Sequence, residues 1–219
     1  MTDPAHVDRI RADYSRWAPF YDWFARATTG VGGVRRACVD ALDLDAGDTV
    51  VEFGCGPGPN LPALREEVGP SGHVVGVDVT DRMLDRARVL VARRGWENVS
   101  LVQGDATTPP VDSADAVLST FVTSLFPDPE AVVREWCDIA DRVVVASFAP
   151  RGNRAANAAL WGFTRLSTEL FDASGEDALA QLDRRTAAAR SGLDAAMETV
   201  ESETYVFGTI TVAAGRREP

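Results

Sequence analysis

An apolar strand pattern that breaks into glycines is the feature that most constrains this chain. Residues 49–60 read TVVEFGCGPGPN, and a helical pattern starts directly afterwards. Such a short apolar run is typical of a strand that is buried on both faces. The glycines and the helix N-terminus bring backbone amides to one point, where an open α/β sheet binds an adenosine-type ligand. The stretch therefore predicts an α/β fold with a ligand site at the end of its first strand.

Strand and helix patterns alternate through the next hundred residues. Strands are predicted at 49–53, 73–79, 99–103, 114–119 and 142–148, and helices at 61–68, 81–94 and 127–140, with Thr80 as the N-cap of the second. This alternation predicts right-handed βαβ units and a parallel sheet. Two further strand patterns, at 199–207 and 209–214, surround Gly208 and predict an antiparallel hairpin.

The charge balance limits the partners. The chain has 33 acidic and 22 basic residues, a net charge of -11, and every basic residue is an arginine. Such a surface repels nucleic acids and anionic membranes. It suits a halophilic cytoplasm, although a GC-rich genome produces the same arginine-only composition. The three cysteines and two histidines are scattered, so we expect no metal site, and no apolar run is long enough to span a membrane. A cytoplasmic protein is expected.

Two acids follow the next two strands at the same sheet edge. Asp78 lies 20 residues after Gly58, at the end of the second strand, where a carboxylate can accept from both ribose hydroxyls. Asp105 follows the third strand and can accept from an adenine amino group. A dinucleotide fingerprint needs a third glycine where Pro59 stands, and a Walker loop needs a lysine, which the chain lacks. An NAD-dependent reductase therefore stays as the weaker alternative.

The motifs, taken in order, resemble a known family. EFGCGPG at 52–58, GVD at 76–78 with MLDRAR at 83–88, and QGDA at 103–106 resemble the class I S-adenosylmethionine-dependent methyltransferases. Within that class the chain is similar to the ubiquinone/menaquinone-biosynthesis type of small-molecule methyltransferase. Tyr21 and Asp22, which follow Trp-Ala-Pro, also resemble an element of that group. The resemblance covers most of residues 12–150.

The resemblance implies a fold, a reaction and a set of contacts. The expected fold is a Rossmann-like, seven-stranded, mostly parallel sheet with helices on both faces, an antiparallel last strand and a helical N-terminal lid. The expected reaction is in-line transfer of a methyl group from S-adenosylmethionine to a small-molecule acceptor, apolar or aromatic in character. The residues expected to hold the cofactor are Glu52, Gly54, Gly56, Gly58, Asp78, Val79, Met83, Asp105, Ala106, Ser119 and Thr120.

The parts outside the glycine-loop core leave the acceptor open. We expect one domain over 1–219, with a helical lid at 1–45, a cofactor-binding core at 46–150, a helical insertion at 151–197 and the hairpin at 198–219. Tyr21 is a candidate for orienting the acceptor, and no catalytic base is identified. The aromatic residues near it are as well explained by core or cap packing as by substrate contact. A cofactor-binding regulatory protein without turnover is a second alternative, and either a monomer or a homodimer fits.

Overall fold

The computed structural model describes residues 33–149 and 178–217. The described elements, in chain order, are α1 (Val34–Asp40), β1 (Thr49–Phe53), α2 (Leu61–Val68), β2 (His73–Asp78), α3 (Asp81–Arg94), β3 (Val99–Gln103), β4 (Ala116–Thr120), a 3-10 turn (Thr123–Leu125), α4 (Pro129–Ile139), β5 (Arg142–Phe148), α5 (Ala178–Ala196), β6 (Thr199–Tyr205) and β7 (Ile210–Arg216). This alternation confirms the predicted α/β class.

The strands form one seven-stranded sheet in the order β3-β2-β1-β4-β5-β7-β6. Strands β1 to β5 pair in parallel, and β7 runs antiparallel to both β5 and β6. The predicted antiparallel hairpin is therefore confirmed. From β1 the chain continues to β2 and β3 on one side of the sheet and then crosses to β4 and β5 on the other side. The carboxyl ends of β1 and β4 therefore flank a topological switch point. Ligands of open α/β sheets bind at such points.

Alternating side chains along each strand build a core on each face of the sheet. Val50 and Leu118 pack in one cluster with α1, α2 and α3, whereas Val51 and Val117 pack in the other with α4. This explains why the strands are apolar at nearly every position, since both faces are covered. The same alternation turns the side chain of Glu52 to the face of Val50, where α1 and α2 lie.

Helix α5 passes over the carboxyl end of β5. Thr186 Oγ1 donates to the carbonyl oxygen of Phe148 at 2.8 Å, and Arg185 donates to the carbonyl oxygen of Ser124. Leu182 is buried in the cluster on the α1 side, and Leu193 is buried in the cluster on the α4 side. The helix therefore links the two cores at the edge of the sheet where the glycine loop lies.

Several predicted boundaries are wrong by a few residues, for local reasons. Strand β4 starts at Ala116 because Ala114 N donates to Ile139 O and so belongs to the connecting turn. Helix α4 starts at Pro129 because Asp128 Oδ1 accepts from Ala131 N and caps it. Thr80 does hold the N-cap position of α3, but its side chain makes no capping hydrogen bond. Strand β2 ends at Asp78 rather than 79, and the hairpin strands are 199–205 and 210–216.

Residues 1–32 and 150–177 lie outside the described residues, and with them most of the expected lid, Tyr21 and the first part of the expected insertion. Within 33–149 and 178–217, no helix is long and apolar enough to cross a membrane.

Candidate functional site

The glycine loop is fastened to the end of the neighbouring strand β2. The backbone amides of Gly54 and Cys55 both donate to the carbonyl oxygen of Val77, at 2.8 and 3.0 Å. Gly58 N donates to Cys55 O at 3.0 Å and closes the turn before α2. These bonds hold the loop at the carboxyl end of β1, between β2 and β4, which is the switch point of the sheet.

The three glycines of the loop are required for different reasons. Gly54, Gly56 and Gly58 have φ values of 71°, 55° and 84°, which side chains disfavour. A Cβ on Gly54 would lie 2.2 Å from Val122 Cγ2, and one on Gly58 would lie 2.6 Å from Leu61 Cδ1. A Cβ on Gly56 would meet nothing within 4 Å. The first and third glycines therefore allow close packing, and Gly56 faces open space.

The carboxylate of Asp78 joins the second strand to the glycine loop. Its Oδ2 accepts from Gly56 N at 2.9 Å, and its Oδ1 accepts from Thr80 N at 2.8 Å. Burial raises the pKa of Asp78, and the two backbone hydrogen bonds oppose that rise. Each oxygen keeps a second acceptor position, so the same carboxylate can shape the loop and accept further hydrogen bonds.

Asp105 lies beside Asp78 at the end of the third strand. Gly104 N donates to Asp78 O at 3.1 Å, and Asp105 Oδ1 accepts from Thr107 N at 2.9 Å in a turn. The next residue, Ala106, accepts through its carbonyl oxygen from Trp136 Nε1 at 2.8 Å. The half-buried Asp105 therefore lies in a hydrogen-bonded turn that is joined to the end of β2.

Val79 follows β2 directly, and Met83 lies in the first turn of α3. Val79 is half-buried, and its carbonyl oxygen accepts from Gln103 Nε2 at 3.2 Å. Met83 is fully buried in the first turn of α3. Two candidate cofactor contacts thus differ in accessibility.

Glu52 is a fully buried carboxyl whose hydrogen-bond partner, Asn60, contacts side chains of α1 and β4. Its Oε1 accepts from Asn60 Nδ2 at 2.6 Å, and Asn60 Oδ1 accepts from Arg35 at 3.1 Å. Thr120 Oγ1 accepts from Asn60 Nδ2 at 3.1 Å and from Arg35 at 3.4 Å. All four residues are buried. We call these four residues the Glu52 cluster.

The second oxygen of Glu52 has no partner among the described residues. Oε2 is buried without a hydrogen bond there. Burial raises the pKa of Glu52 to about 8, while the Asn60 hydrogen bond and the charge of Arg35 lower it and the charge of Asp78 raises it. A buried carboxyl oxygen beside a loop with an open face suits a ligand that brings a cation.

Ser119 and Thr120 end strand β4 inside the protein. Ser119 Oγ donates to the carbonyl oxygen of Phe53 at 3.1 Å and is fully buried, and Thr120 belongs to the Glu52 cluster. Phe121 follows with a left-handed φ of 64°. Its ring stacks on Phe148, with centroids 4.5 Å apart. Such strain in a non-glycine residue persists only where surrounding contacts fix it, and it is common at functional sites.

Arg35 and Asn60 are the members of the site that sequence reasoning missed. The start of α2 after Pro59 departs from the expected pattern, and Asn60 is its N-cap residue, yet its side chain enters the Glu52 cluster instead of capping. Arg35 stands one helical turn from Val39 and two from Leu42, both buried. That spacing was the available signal that this arginine faces inward.

Cys55 fills space beside β2, and its burial disfavours a reactive thiolate. It is buried, and its Sγ would lie 3.0 Å from a Cβ placed on Gly76. Burial, with the charges of Asp78 and Glu52, raises the pKa of this thiol well above its ordinary value. No group of three or more His, Cys, Asp or Glu that could hold a metal ion occurs in the described part of the chain.

A separate cavity of about 310 Å³ lies between α5 and the outer strands β5, β7 and β6. Its polar lining includes Ser147, Thr204 and Thr211, which share one row across the three strands. This cavity is on the far side of β5 from the glycine loop, so it is not the space in front of Gly56.

Comparisons with known proteins relate the chain to methyltransferases. Residues 50–141, which include the loop and both acids, match the methyltransferase domain family. Aklanonic acid methyltransferase DauC from Streptomyces sp. (strain C5) is 35% identical over 144 residues, 64% of this chain and 64% of that protein. Phosphatidylethanolamine N-methyltransferase from Cereibacter sphaeroides is 33% identical over 150 residues, 65% of this chain and 70% of that protein. The chain spans less than half the length of two other relatives.

Solved structures give the same fold. Magnesium protoporphyrin IX methyltransferase (ChlM) from Synechocystis PCC 6803, with bound SAH, superposes with a TM-score of 0.66 over 97% of this chain and 100% of that chain. The identity is 18%, so the likeness is one of fold alone.

Proposed function

We propose that this chain, which belongs to the class I S-adenosylmethionine-dependent methyltransferases, transfers a methyl group from S-adenosylmethionine to a small-molecule acceptor. The observation that carries the proposal is the loop at the switch point, where Gly56 faces open space and its amide donates to the carboxylate of Asp78. Two features fit this cofactor: Glu52 Oε2, which has no hydrogen-bond partner in the described part of the chain, and the space that a Cβ on Gly56 would fill.

The proposed contacts follow the order of the strands. The glycine loop lies along the methionine part of the cofactor, with Glu52 toward its ammonium group. Asp78 accepts from the ribose hydroxyls through lone pairs that its backbone bonds leave available. Asp105 accepts from the adenine amino group. The remaining proposed contacts are Val79, Met83 and Ala106 around adenine, and Ser119 and Thr120 beneath the cofactor.

The protein's share of catalysis in this proposal is positioning. When bound, S-adenosylmethionine supplies a sulfonium-activated methyl group, so the sulfur keeps the electron pair as the carbon bonds to the acceptor. The chain's residues hold donor and acceptor in line, and such orientation can supply much of the rate. The left-handed turn at Phe121 sets the path of the chain beyond β4, next to this site. Tyr21 remains a candidate for orienting the acceptor.

An apolar or aromatic acceptor is the proposed class. Phe121 and Phe148 stack at the carboxyl ends of β4 and β5, and Leu125 is buried in the following turn. These buried side chains make the protein beside the switch point apolar. The net charge of -11 argues against nucleic acid.

The first experiment is calorimetry of the full chain with S-adenosylmethionine and S-adenosylhomocysteine, with NADH as the competing ligand. We expect micromolar or tighter binding of the adenosyl compounds, about 8 kcal/mol or more, and none of NADH. No binding at millimolar S-adenosylmethionine would refute the proposal, and binding of NADH alone would support a reductase.

A labelled-methyl assay against a panel of phenolic, quinone and aliphatic acceptors tests turnover. Transfer to any of these acceptors supports the enzyme. Tight binding without transfer across a broad panel would instead favour a regulatory protein.

The charge also bears on where and how the chain works. We propose a halophilic cytoplasm, because a net charge of -11 repels itself less in concentrated salt. Melting temperature and gel-filtration size are measured from dilute buffer to molar potassium chloride. A melting temperature that falls with salt would contradict this proposal, and the elution volume distinguishes monomer from homodimer.

A further inference from the structure

The side chain of Asn60 connects the buried guanidinium of Arg35 to the carboxyl group of Glu52 by hydrogen bonds. Arg35 donates to Asn60 Oδ1 at 3.1 Å, and an arginine has no acceptor to offer. The amide oxygen of Asn60 must therefore face Arg35. Its Nδ2 then points to Glu52 Oε1, at 2.6 Å. Arg35 thus decides which oxygen of Glu52 is occupied, without touching Glu52 itself in these bonds.

Thr120 fixes the amide in this orientation. Its Oγ1 accepts from Asn60 Nδ2 at 3.1 Å and from Arg35 at 3.4 Å. Both hydrogens of the Asn60 amide are therefore used, and rotation of the amide would break several buried bonds at once. Breaking such bonds in a buried site is costly. Glu52 Oε2 is therefore the atom of the cluster that can gain a proton or a new hydrogen-bond donor without breaking these bonds.

Few charged groups of the described residues act on Glu52. Among the described residues, the titratable or charged groups around Glu52 are Arg35 and Cys38 from α1, Cys55 from the glycine loop and Asp78 from β2. Arg35 is the cation of this set, and the two cysteines are neutral because burial raises the pKa of each thiol. The carboxyl can therefore avoid an uncompensated buried charge in two ways, by keeping a proton on Oε2 or by meeting a further cation there.

Resting on the proposed function, we propose that the cofactor's ammonium group exchanges with a proton at Glu52 Oε2, and that Arg35 is the positioning residue that sets the pH of this exchange. On binding, the proton leaves Oε2 for solvent, and an N–H of the ammonium donates to the ionised oxygen. No other bond is made or broken. Arg35 acts through Asn60, by favouring the ionised carboxylate before the ammonium arrives.

The exchange predicts how affinity depends on pH. Burial raises the pKa of Glu52 to about 8, so at lower pH the free site holds the proton that must leave. Affinity then rises with pH by up to about tenfold per unit as that pKa is approached. Above that pKa the rise levels off, because the free site no longer holds a proton that must leave. The affinity is therefore expected to reach a plateau above the pKa of Glu52.

Calorimetry counts the proton directly. S-adenosylhomocysteine is the probe, because it keeps the ammonium group and undergoes no methyl transfer. The full chain is titrated at about pH 7 in phosphate and in Tris, two buffers with different ionisation enthalpies. The difference in binding heat, divided by the difference in ionisation enthalpy, gives the number of protons released. Wild type should release close to one proton, and Glu52→Gln should release none. Melting curves check that the variant is folded.

A second variant tests Arg35 separately. Arg35→Gln removes the cation, so Glu52 should hold its proton to higher pH and release should persist at about pH 8.5, where release from wild type has mostly ceased. Arg36→Gln is the matched control, since Arg36 is half exposed and pairs with Asp40 and Glu67 on the surface. It should follow wild type.

The outcomes separate the claims. Binding without proton release in wild type, or release that persists in Glu52→Gln, would overturn the exchange. An Arg35→Gln profile equal to wild type would overturn the role of Arg35. If that variant does not fold, the Glu52→Gln count decides the exchange. Failure of S-adenosylhomocysteine to bind at any pH would refute the proposed function, and the exchange with it.

Discussion

The glycine loop makes a prediction in which stability and ligand binding separate. Gly54→Ala places a Cβ 2.2 Å from Val122 Cγ2, more than an ångström closer than ordinary contact. Overpacking costs about 1–3 kcal/mol, and a left-handed alanine costs about 1–2 more. The free energy of unfolding should fall by roughly 2–5 kcal/mol. For a chain of this size that lowers the melting temperature by about 4–20 °C.

Gly56→Ala has the opposite signature. Its φ of 55° costs about 1–2 kcal/mol, but its Cβ meets nothing within 4 Å. The melting temperature should fall by about 2–8 °C. The new methyl group projects into the space proposed for the cofactor, so S-adenosylhomocysteine affinity should fall at least about tenfold, or 1.4 kcal/mol.

The two variants are compared by thermal melting and by calorimetry. We expect Gly54→Ala to lose more stability than Gly56→Ala, and Gly56→Ala to lose affinity for S-adenosylhomocysteine. Wild-type affinity in Gly56→Ala would show that the open space in front of this glycine is not the cofactor site. Equal destabilisation in both variants would show that the packing contrast between them does not govern stability.

Three further predictions concern the acids of the site. Asp78→Asn should weaken S-adenosylhomocysteine binding by roughly 10–150-fold, measured by calorimetry, since a bond to a charged acceptor contributes about 1.5–3 kcal/mol; unchanged affinity would remove its ribose role. Asp105→Ala should weaken binding while Asp112→Ala, an exposed acid of the same loop, leaves it unchanged; equal effects would refute the adenine contact. The folded-state pKa of Glu52 is raised to about 8, so its contribution to stability is present below the unfolded pKa and is lost as pH rises through about 8. Melting temperatures from pH 5 to 9 should show this loss in wild type and less of it in Glu52→Gln. Parallel curves for the two proteins would contradict this prediction.

The local sequence pattern predicted the strands of the sheet, the helices between them and the C-terminal hairpin. The apolar strands, the alternating helices and the turn at Gly208 all act within short windows, and the structure confirms each of them. Helix starts were less predictable, because they depend on single contacts. Asp128 caps α4 through Ala131 N, whereas Thr80 holds a cap position without capping.

The candidate site could be predicted only as far as its motifs. Parallel strands have their carboxyl ends at one edge of the sheet, so acids that follow such strands come together there. The position of an acid after a strand can be recognised in the sequence. The Glu52 cluster joins residues 25, 60 and 85 positions apart in sequence. A buried arginine and an asparagine that does not cap its helix both violate local preference, and nonlocal hydrogen bonds compensate for this. No local pattern could specify those bonds.

The outermost described strand has a consequence for how copies of this chain meet. Strand β6 ends the sheet order and carries the exposed acids Glu201 and Glu203 on one face. If two copies paired antiparallel about Ser202, Glu201 of each would oppose Glu203 of the other. Like charges directly opposite destabilise such pairing. The strand therefore resists growth into a continuous intermolecular sheet, most strongly in dilute buffer where the repulsion is least screened.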